Sequence, residues 1–183
     1  DTTTGDYYSV SPSLAMEYTD TDCRKGWTIC PFSSQALGSQ SFIGKYNLLR
    51  REKREIMFVN KMRLSAALFT AAEAWAQAGG DGPQKAIVAL NRFLDRRGAD
   101  PVDTSLSGDA LLKEILHQKH LEFLGEGQRY FDLKHYSRLL GSTSGRIPAP
   151  GDYRWLWPIP KDEYLYNDNM TQNPGWPKDS FND

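Results

Sequence analysis

The sequence predicts an all-α (α-rich) fold, in which a helical hairpin and a further helix are wrapped by irregular loop segments. Two observations support it. Residues 61–140 carry apolar side chains at the three-to-four-residue spacing of amphipathic helices. Residues 1–60 and 141–183 are interrupted by glycine, proline, serine and aspartate, which favour turns. We therefore expect a single domain over residues 1–183, with residues 61–140 as its helical scaffold.

The first 60 residues favour loops and one or two short strands over long helices. One short helix is expected from Ser11 to Tyr18, because Ser11 suits an N-cap and Pro12 suits the first helical position. Cys23 and Cys30 lie in the same irregular segment, and their spacing is compatible with a local disulfide or with two thiols.

A helical hairpin is expected from residue 61 onward. Gly79 and Gly80 should end its first helix, and Asp81 and Pro83 suit the opening turn of a second helix that continues to Gly98. Two helices joined by a short glycine-rich link form an antiparallel pair. The apolar stripe of the first helix comprises Met62, Leu64, Ala66, Leu68, Phe69, Ala72, Trp75 and Ala76.

A third helix is expected from about Asp109, and a charged segment follows it. Glu126 stands between two glycines, and Arg129 and Asp132 come three and six residues later. A continuing helical turn would place the three charges on one side, where they would form an ion-pair network. We expect this network to hold the scaffold, so that replacing Arg129 by alanine lowers the melting temperature.

Two ordered motifs stand in the second half of the chain. The first consists of Glu122, Glu126, Gly127, Arg129, Phe131, Asp132 and Leu133. The second consists of Tyr153, Trp157, Pro158, Ile159, Pro160 and Glu163, followed by Asn169, Gln172, Asn173, Pro174, Gly175 and Trp176. Together they resemble the signatures of the SusD/RagB family, the surface glycan-binding lipoproteins of Bacteroidetes-type bacteria. Gln118 departs from the family pattern, which usually has a glutamate there.

Shorter matches extend the resemblance toward the N-terminus, and they include Ser11, Pro12, Leu14, Asp22, Arg24, Lys45, Tyr46, Arg63, Leu64, Ala72, Glu73, Ala74, Asn91 and Arg97. The resemblance implies a tetratricopeptide-like helix pair and the later part of a typical family member, whose lipid anchor lies in its earlier part. It also implies non-catalytic capture of oligosaccharides or polysaccharides at the outer membrane and their delivery to a SusC-like TonB-dependent transporter. No cofactor is expected.

Composition argues against other classes of partner. A net charge of -1 argues against nucleic acid, since general binding to its phosphates needs a positive protein surface. The sequence contains no apolar run of the roughly 20 residues that a membrane helix needs. A metal site is not expected, because His117 and His120 have only Glu122 as a nearby further ligand. We expect the two imidazoles to lie on a solvated helix face.

Aromatic residues are the candidate glycan contacts. A flat indole or phenol ring can cover the C–H face of a pyranose, while neighbouring polar groups bind its hydroxyls. The sequence favours Tyr7, Tyr8 and Trp27, which lie near Asp6 and Asp22 in the irregular N-terminal part. Trp75, Trp155 and Trp157 are better explained as side chains that fill gaps in the fold.

Two other functions stay open at this point. The helical face could dock another polypeptide without any affinity for sugar. Alternatively, Glu122 and Glu126 could act as the two carboxylates of a glycoside hydrolase, which stand roughly 5 to 9 Å apart. The nearby Arg129 would lower both carboxyl pKa values, whereas such an enzyme needs one of them raised. We therefore expect a binding protein and not an enzyme, with no catalytic residues.

Overall fold

A computed structural model describes residues 9–34, 38–45, 62–141, 147–167 and 169–177. The chain divides into two compact units, Asp1–Arg129 and Tyr130–Asp183. The single domain expected from the sequence stays a prediction.

The N-terminal part begins with a short helix. Helix α1 spans Pro12–Met16, and the hydroxyl of Ser11 accepts a hydrogen bond from the backbone N–H of Leu14 at 3.2 Å. This geometry confirms the predicted N-cap and the proline in the first turn. The helix ends at Met16, two residues earlier than expected.

A second short helix and a β-hairpin follow. Helix α2 spans Cys23–Thr28, and it leads directly into strand β1, Ile29–Ser34, which pairs antiparallel with strand β2, Gly38–Ile43. The sequence indicated the strands but not α2. Its start is fixed by Asp22, whose carboxylate accepts a hydrogen bond from the Arg24 N–H at 2.9 Å. No disulfide joins Cys23 to Cys30, both of which are described.

The predicted helical hairpin is present. Helix α3 spans Leu64–Gln77 and helix α4 spans Gly82–Asp95, so the link between them is residues 78–81. Gly80 in this link has a φ of +65°, a left-handed conformation that glycine adopts without steric cost. Gly80 therefore acts as the sequence suggested, whereas Gly79 does not adopt the left-handed conformation.

Helix α5, Gly108–Glu122, completes the scaffold and packs against both α3 and α4. Phe69 of α3 lies at the centre, with its ring centroid 5.2 Å from that of Phe93 and 5.9 Å from that of Phe123. Asn91 holds the loop before α5 in place, because its side-chain amide donates a hydrogen bond to the Val102 carbonyl and accepts one from the Val102 N–H. The buried core is formed by Phe69, Ala72, Ala76, Ala86, Ile87, Leu90, Phe93, Leu94, Val102, Leu111, Ile115 and Phe123.

Helix α5 also packs against the N-terminal part. Tyr18 is fully buried beside Leu121, and its hydroxyl donates a 2.8 Å hydrogen bond to the Leu121 carbonyl. Arg24 and Asp22 form a buried ion pair at 2.7 Å, and Arg24 also donates to the side-chain oxygen of Gln118 at 2.8 Å. The neutral amide of Gln118 thus accepts a hydrogen bond from Arg24, whereas the glutamate that is usual in the family would form an ion pair with it.

The apolar stripe predicted for α3 is only partly buried. Phe69, Ala72 and Ala76 lie in the core together with Ser65, in a row of three-to-four-residue steps. Leu64 is 85% exposed and Trp75 is 38% exposed, because they belong to the neighbouring row on the helix surface. Leu64 and Trp75 of the predicted stripe therefore lie outside the buried row of α3.

The second unit contains most of helix α6, Arg129–His135, then α7, Ser137–Leu140, a 3-10 helix, Tyr153–Trp155, and α8, Lys161–Leu165. Trp155 is buried as expected, and its indole N–H donates to the Ala149 carbonyl at 2.9 Å. No helix within the described ranges is long and apolar enough to cross a membrane.

Candidate functional site

A cluster of charged side chains joins the end of α5 to the rest of the first unit. Glu122 is 4% exposed, and its carboxylate accepts hydrogen bonds from Arg63, from Ser65 at 3.0 Å and from Arg97 at 3.0 Å. The Arg63 guanidinium also lies 4.2 Å from the centroid of the Phe123 ring. These contacts fix both guanidinium groups against the helical core.

Glu126 extends the cluster through partners that the sequence did not indicate. Its carboxylate pairs with Lys45 at 2.8 Å and with Arg63 at 2.9 Å. The continuing helical turn expected for Glu126 is wrong, because α5 ends at Glu122 and the left-handed Gly125 (φ +79°) and Gly127 (φ +77°) interrupt the helix. The part expected of Arg129 and Asp132 in holding the scaffold stays a prediction.

The protonation of this cluster is unfavourable for glycoside hydrolysis. Burial by itself would raise the pKa of Glu122, but hydrogen bonds and charges from Arg97 and Arg63 outweigh it and hold that pKa below its usual value. Burial lowers the pKa of the Lys45 ammonium, and the neighbouring Glu126 only partly offsets this. A hydrolase needs a carboxylic acid that keeps its proton, so the cluster is better explained as a structural network.

Of the two histidines of α5, His120 departs from the expected solvated face. His120 is half-buried, and this burial, together with the charges of Arg129 and His117, lowers its pKa to about 4. The Nδ1 atom of His117 lies 3.6 Å from the carboxylate of Glu17. Within the described residues, no group of three or more histidine, cysteine, aspartate or glutamate side chains could hold a metal ion.

Trp27 is the predicted glycan contact whose position is described. It lies on α2 with 55% of its surface exposed, and the guanidinium carbon of Arg97 stands 5.6 Å from its ring centroid. Asp22, which the sequence placed beside it as a polar neighbour, is 3% exposed and bound to Arg24, so it does not face solvent. Tyr7 and Tyr8 lie outside the described residues.

A groove runs along the outer side of α3 and α4, and we call it the α3–α4 groove. Its volume is about 950 Å³. Apolar and basic side chains dominate its lining, which includes Leu64, Leu68, Trp75, Val88, Lys85, Arg92, Arg96 and Arg97. Because Arg97 also contacts the ring of Trp27, that indole lies close to the groove. The sequence did not indicate this groove, although Leu64, Leu68 and Trp75 form a second apolar row on α3 beside the buried row.

A second set of aromatic side chains lies in the C-terminal unit. Tyr153 and Trp176 pack edge to face with 5.1 Å between ring centroids, and the indole N–H of Trp176 donates to the Leu156 carbonyl at 2.8 Å. Trp157 is 75% exposed, and its carbonyl accepts a 2.7 Å hydrogen bond from Asn173. Trp157 therefore fills no gap in the described part of the fold, contrary to expectation.

Comparison with known proteins places the chain in a family. The sequence model of the SusD family matches residues 47–146, and the chain belongs to this family. The match covers the helical hairpin, α5 and the residues of the charged cluster other than Lys45. No curated protein sequence matches the chain.

Solved structures of family members share the fold. A SusD superfamily protein from Bacteroides vulgatus is 25% identical, with a TM-score of 0.62 over 86% of this chain and 36% of that one. NanU from B. fragilis is 26% identical, with a TM-score of 0.60 over 90% and 38%. Surface glycan-binding protein A from Bacteroides uniformis is 20% identical, with a TM-score of 0.68 over 93% and 44%.

These matches confirm the α-rich fold class predicted from the sequence. The chain spans less than half the length of each of the three structures.

Proposed function

We propose that this chain binds oligosaccharides or polysaccharides at the outer surface of the bacterial outer membrane and does not catalyse their breakdown. Membership of the SusD family supports this proposal, and one structural relative bears the name of a surface glycan-binding protein. The absence of a catalytic role is also supported by the charged cluster, in which cations hold both Glu122 and Glu126.

The observation that carries the proposal is the exposed indole of Trp27. More than half of its surface is open to solvent, although tryptophan is usually highly buried. The residue lies on a helix, and the guanidinium beside its ring belongs to the charged cluster, so the ring loses little freedom when a ligand covers it. A rigid, open aromatic face suits the apolar side of a pyranose ring.

Three other residues are proposed as glycan contacts besides Trp27. Tyr7 and Tyr8 stay predictions from the sequence. Trp157 is a second candidate, because it is more exposed than Trp27 and Asn173 holds the backbone beneath it. Each of the two indoles is proposed as a contact by itself.

The cellular context is proposed from the same family membership. The bound glycan would pass to a SusC-like TonB-dependent transporter, and a lipid anchor would hold the protein on the surface of the outer membrane. Co-purification of the tagged protein with such a transporter, from detergent-solubilised outer membranes, tests the delivery step. Recovery of the protein without any transporter would contradict it.

Replacing Trp27 by alanine is expected to weaken glycan binding about 10- to 30-fold, because an aromatic anchor commonly contributes roughly 1.4–2 kcal/mol or more. The measurement is binding of the purified chain to a glycan array, followed by calorimetric titration with the best glycan. Trp157→Ala is measured in parallel.

Met16→Ala serves as the matched control, since Met16 is 77% exposed but presents no ring. It should leave the affinity unchanged, and all variants should keep the melting temperature of the parent. A folded parent chain that binds no glycan would contradict the proposed function. Binding that survives the loss of both indoles would contradict the proposed contacts alone.

A further inference from the structure

We propose that a cleft beside the β-hairpin is a further sugar site, and that it takes an uncharged sugar unit of the bound glycan. We call it the β-hairpin cleft, and it lies between strands β1 and β2 and the residues that lead into α1. The inference rests on the proposed function, to which it adds a second place of contact and a preference for uncharged sugars. The lining of the cleft includes Val10, Pro12, Pro31, Ser33, Ser39 and Ser41.

The alternation of side chains along the strands explains why the cleft is polar. Alternate residues of a strand share one face of the sheet, and so do the residues paired with them on the neighbouring strand. The face that begins with Ile29 therefore continues in proline and serine. Ile29 is 8% exposed and packs in a core with Val10, whereas Ser33 and Ser39 are exposed. The pairs on this face are Ile29 with Ile43, Pro31 with Ser41, and Ser33 with Ser39.

Backbone contacts hold the walls of the cleft in place. The N–H of Val10 donates a 2.6 Å hydrogen bond to the Ser41 carbonyl, and Ser9 forms an antiparallel bridge with Phe42. Pro12 lies in the first turn of α1. The segment before α1 is thus joined to β2 on the side away from β1. Because these walls are already fixed, little ordering entropy is lost when a ligand enters.

The lining combines hydroxyl groups with small apolar surfaces. Each serine hydroxyl can donate one hydrogen bond and accept two, and the contact between the Ser33 and Ser39 oxygens at 3.3 Å uses only part of this capacity. The rings of Pro12 and Pro31 offer C–H surfaces beside these hydroxyls. The volume of the cleft is about 420 Å³, within the range of roughly 300–1,000 Å³ that is usual for small-molecule sites.

The absence of charge specifies the ligand further. None of the residues that line the cleft, all of which belong to the described part of the chain, has a charged side chain. A sugar carboxylate or sulfate would lose part of its hydration there without gaining a cation. A wholly apolar ligand would cover the serine hydroxyls without giving them hydrogen bonds. An uncharged sugar exchanges its bonds to water for bonds to Ser33, Ser39 and Ser41.

The β-hairpin cleft and Trp27 are close enough for one glycan to contact both. Trp27 and Pro31 are four residues apart, so their Cα atoms are separated by at most about 14 Å. Both residues belong to the first unit. A glycan held at one contact meets the other at a high effective concentration, so the two contacts together bind more tightly than either one does.

The test follows the backbone amide signals of the ¹⁵N-labelled full chain by NMR. The neutral glycan with the strongest signal on a glycan array is titrated, and so is its C6-oxidised form, in which primary alcohols are replaced by carboxylates. The amides of Ser33, Ser39 and Ser41 should shift with the neutral glycan. The dissociation constant obtained from these amides should be at least about fivefold larger for the oxidised form.

Variants of the chain locate the site. The double variant Ser33→Val and Ser39→Val removes two hydroxyls from the cleft, and valine suits a strand, so the hairpin should stay folded. It should weaken binding of the neutral glycan at least about fivefold. Thr104→Val is the matched control, because Thr104 is exposed in the loop before α5 and does not line the cleft. It should leave the affinity unchanged, and melting temperatures establish that each variant is folded.

The outcomes separate this inference from the proposed function. If the parent chain binds glycan and Trp27→Ala weakens it, but the double variant does not, the cleft is overturned and the proposed function stands. Tighter binding of the oxidised form, or an array on which only anionic glycans bind, would overturn the preference for uncharged sugars. A folded parent chain that binds no glycan would overturn both proposals together.

Discussion

Replacing Glu122 by glutamine is expected to lower the free energy of unfolding by about 3 kcal/mol. Removing one partner from a buried ion pair typically costs about 3–5 kcal/mol, because it leaves the opposite charge buried without compensation. The lower figure applies here, since Arg63 is 24% exposed and Arg97 is 22% exposed, so water can solvate part of each. Urea denaturation of the purified variant measures the loss.

The pH dependence of stability gives a second measurement of the same contact. The pKa of Glu122 is lower in the folded chain than in the unfolded one, so the folded chain gives up the proton more readily. The stabilisation is present above the unfolded pKa of about 4.5 and is lost as the pH falls through the folded value. The melting temperature of Glu122→Gln should therefore fall less steeply in acid than that of the parent.

Glu163→Gln is the control for the glutamate variant. Glu163 lies exposed in the first turn of α8, where an acidic residue contributes a few tenths of a kcal/mol at most. Similar losses for the two variants, or identical acid profiles for Glu122→Gln and the parent, would refute the structural role assigned to the cluster.

Replacing Gly98 by alanine is expected to destabilise the fold by more than about 2 kcal/mol. Gly98 follows α4 with a φ of +67°, and a left-handed conformation costs a residue with a Cβ atom about 1–2 kcal/mol. In addition, a Cβ atom there would stand 2.5 Å from the backbone carbonyl oxygen of Thr21. The nearby Cys23 N–H donates a 2.8 Å hydrogen bond to the Arg97 carbonyl, so the N-terminal part would have to move.

Gly80→Ala separates the cost of the left-handed conformation from the cost of the steric clash with Thr21. Gly80 has a φ of +65°, but a Cβ atom there would meet nothing within 4 Å. Its loss should therefore be only the conformational cost of about 1–2 kcal/mol. If thermal and urea denaturation give the same loss for both variants, the contact with Thr21 adds nothing and the backbone accommodates the methyl group.

Local patterns predicted the helices well, whereas they could not predict the pairing of charges. The bounds of α3 and α4 follow from apolar periodicity and from glycines that end helices, which are properties of neighbouring residues. The partners of Glu126 lie 63 and 81 positions away, so no spacing rule indicates them. Helix α2 was missed because its six residues include a glycine and few apolar positions.

The candidate glycan contacts could likewise be predicted only where they depend on neighbouring residues and not on long-range packing. The sequence could suggest Trp27 as an exposed aromatic residue, because loop-rich segments usually lie on the surface. It could not show that Asp22, five residues earlier, faces inward to Arg24, since this depends on where α5 brings Gln118. The α3–α4 groove could not be predicted either, because periodicity identifies apolar rows on a helix without showing which row faces the core.

The long-range contacts of the N-terminal part also set the order in which the chain can assemble. Tyr18 reaches Leu121 across 103 positions, whereas Arg97 reaches Glu122 across 25. Closing the longer loop costs about 1 kcal/mol more in chain entropy, so the three long helices can come together before the N-terminal part docks on them.

We therefore expect the segment that carries Trp27 to join last and to open first. Its amides in α2 should exchange with solvent at a lower free energy of opening than those of α4. Equal opening energies would instead mean that the whole first unit unfolds in a single step.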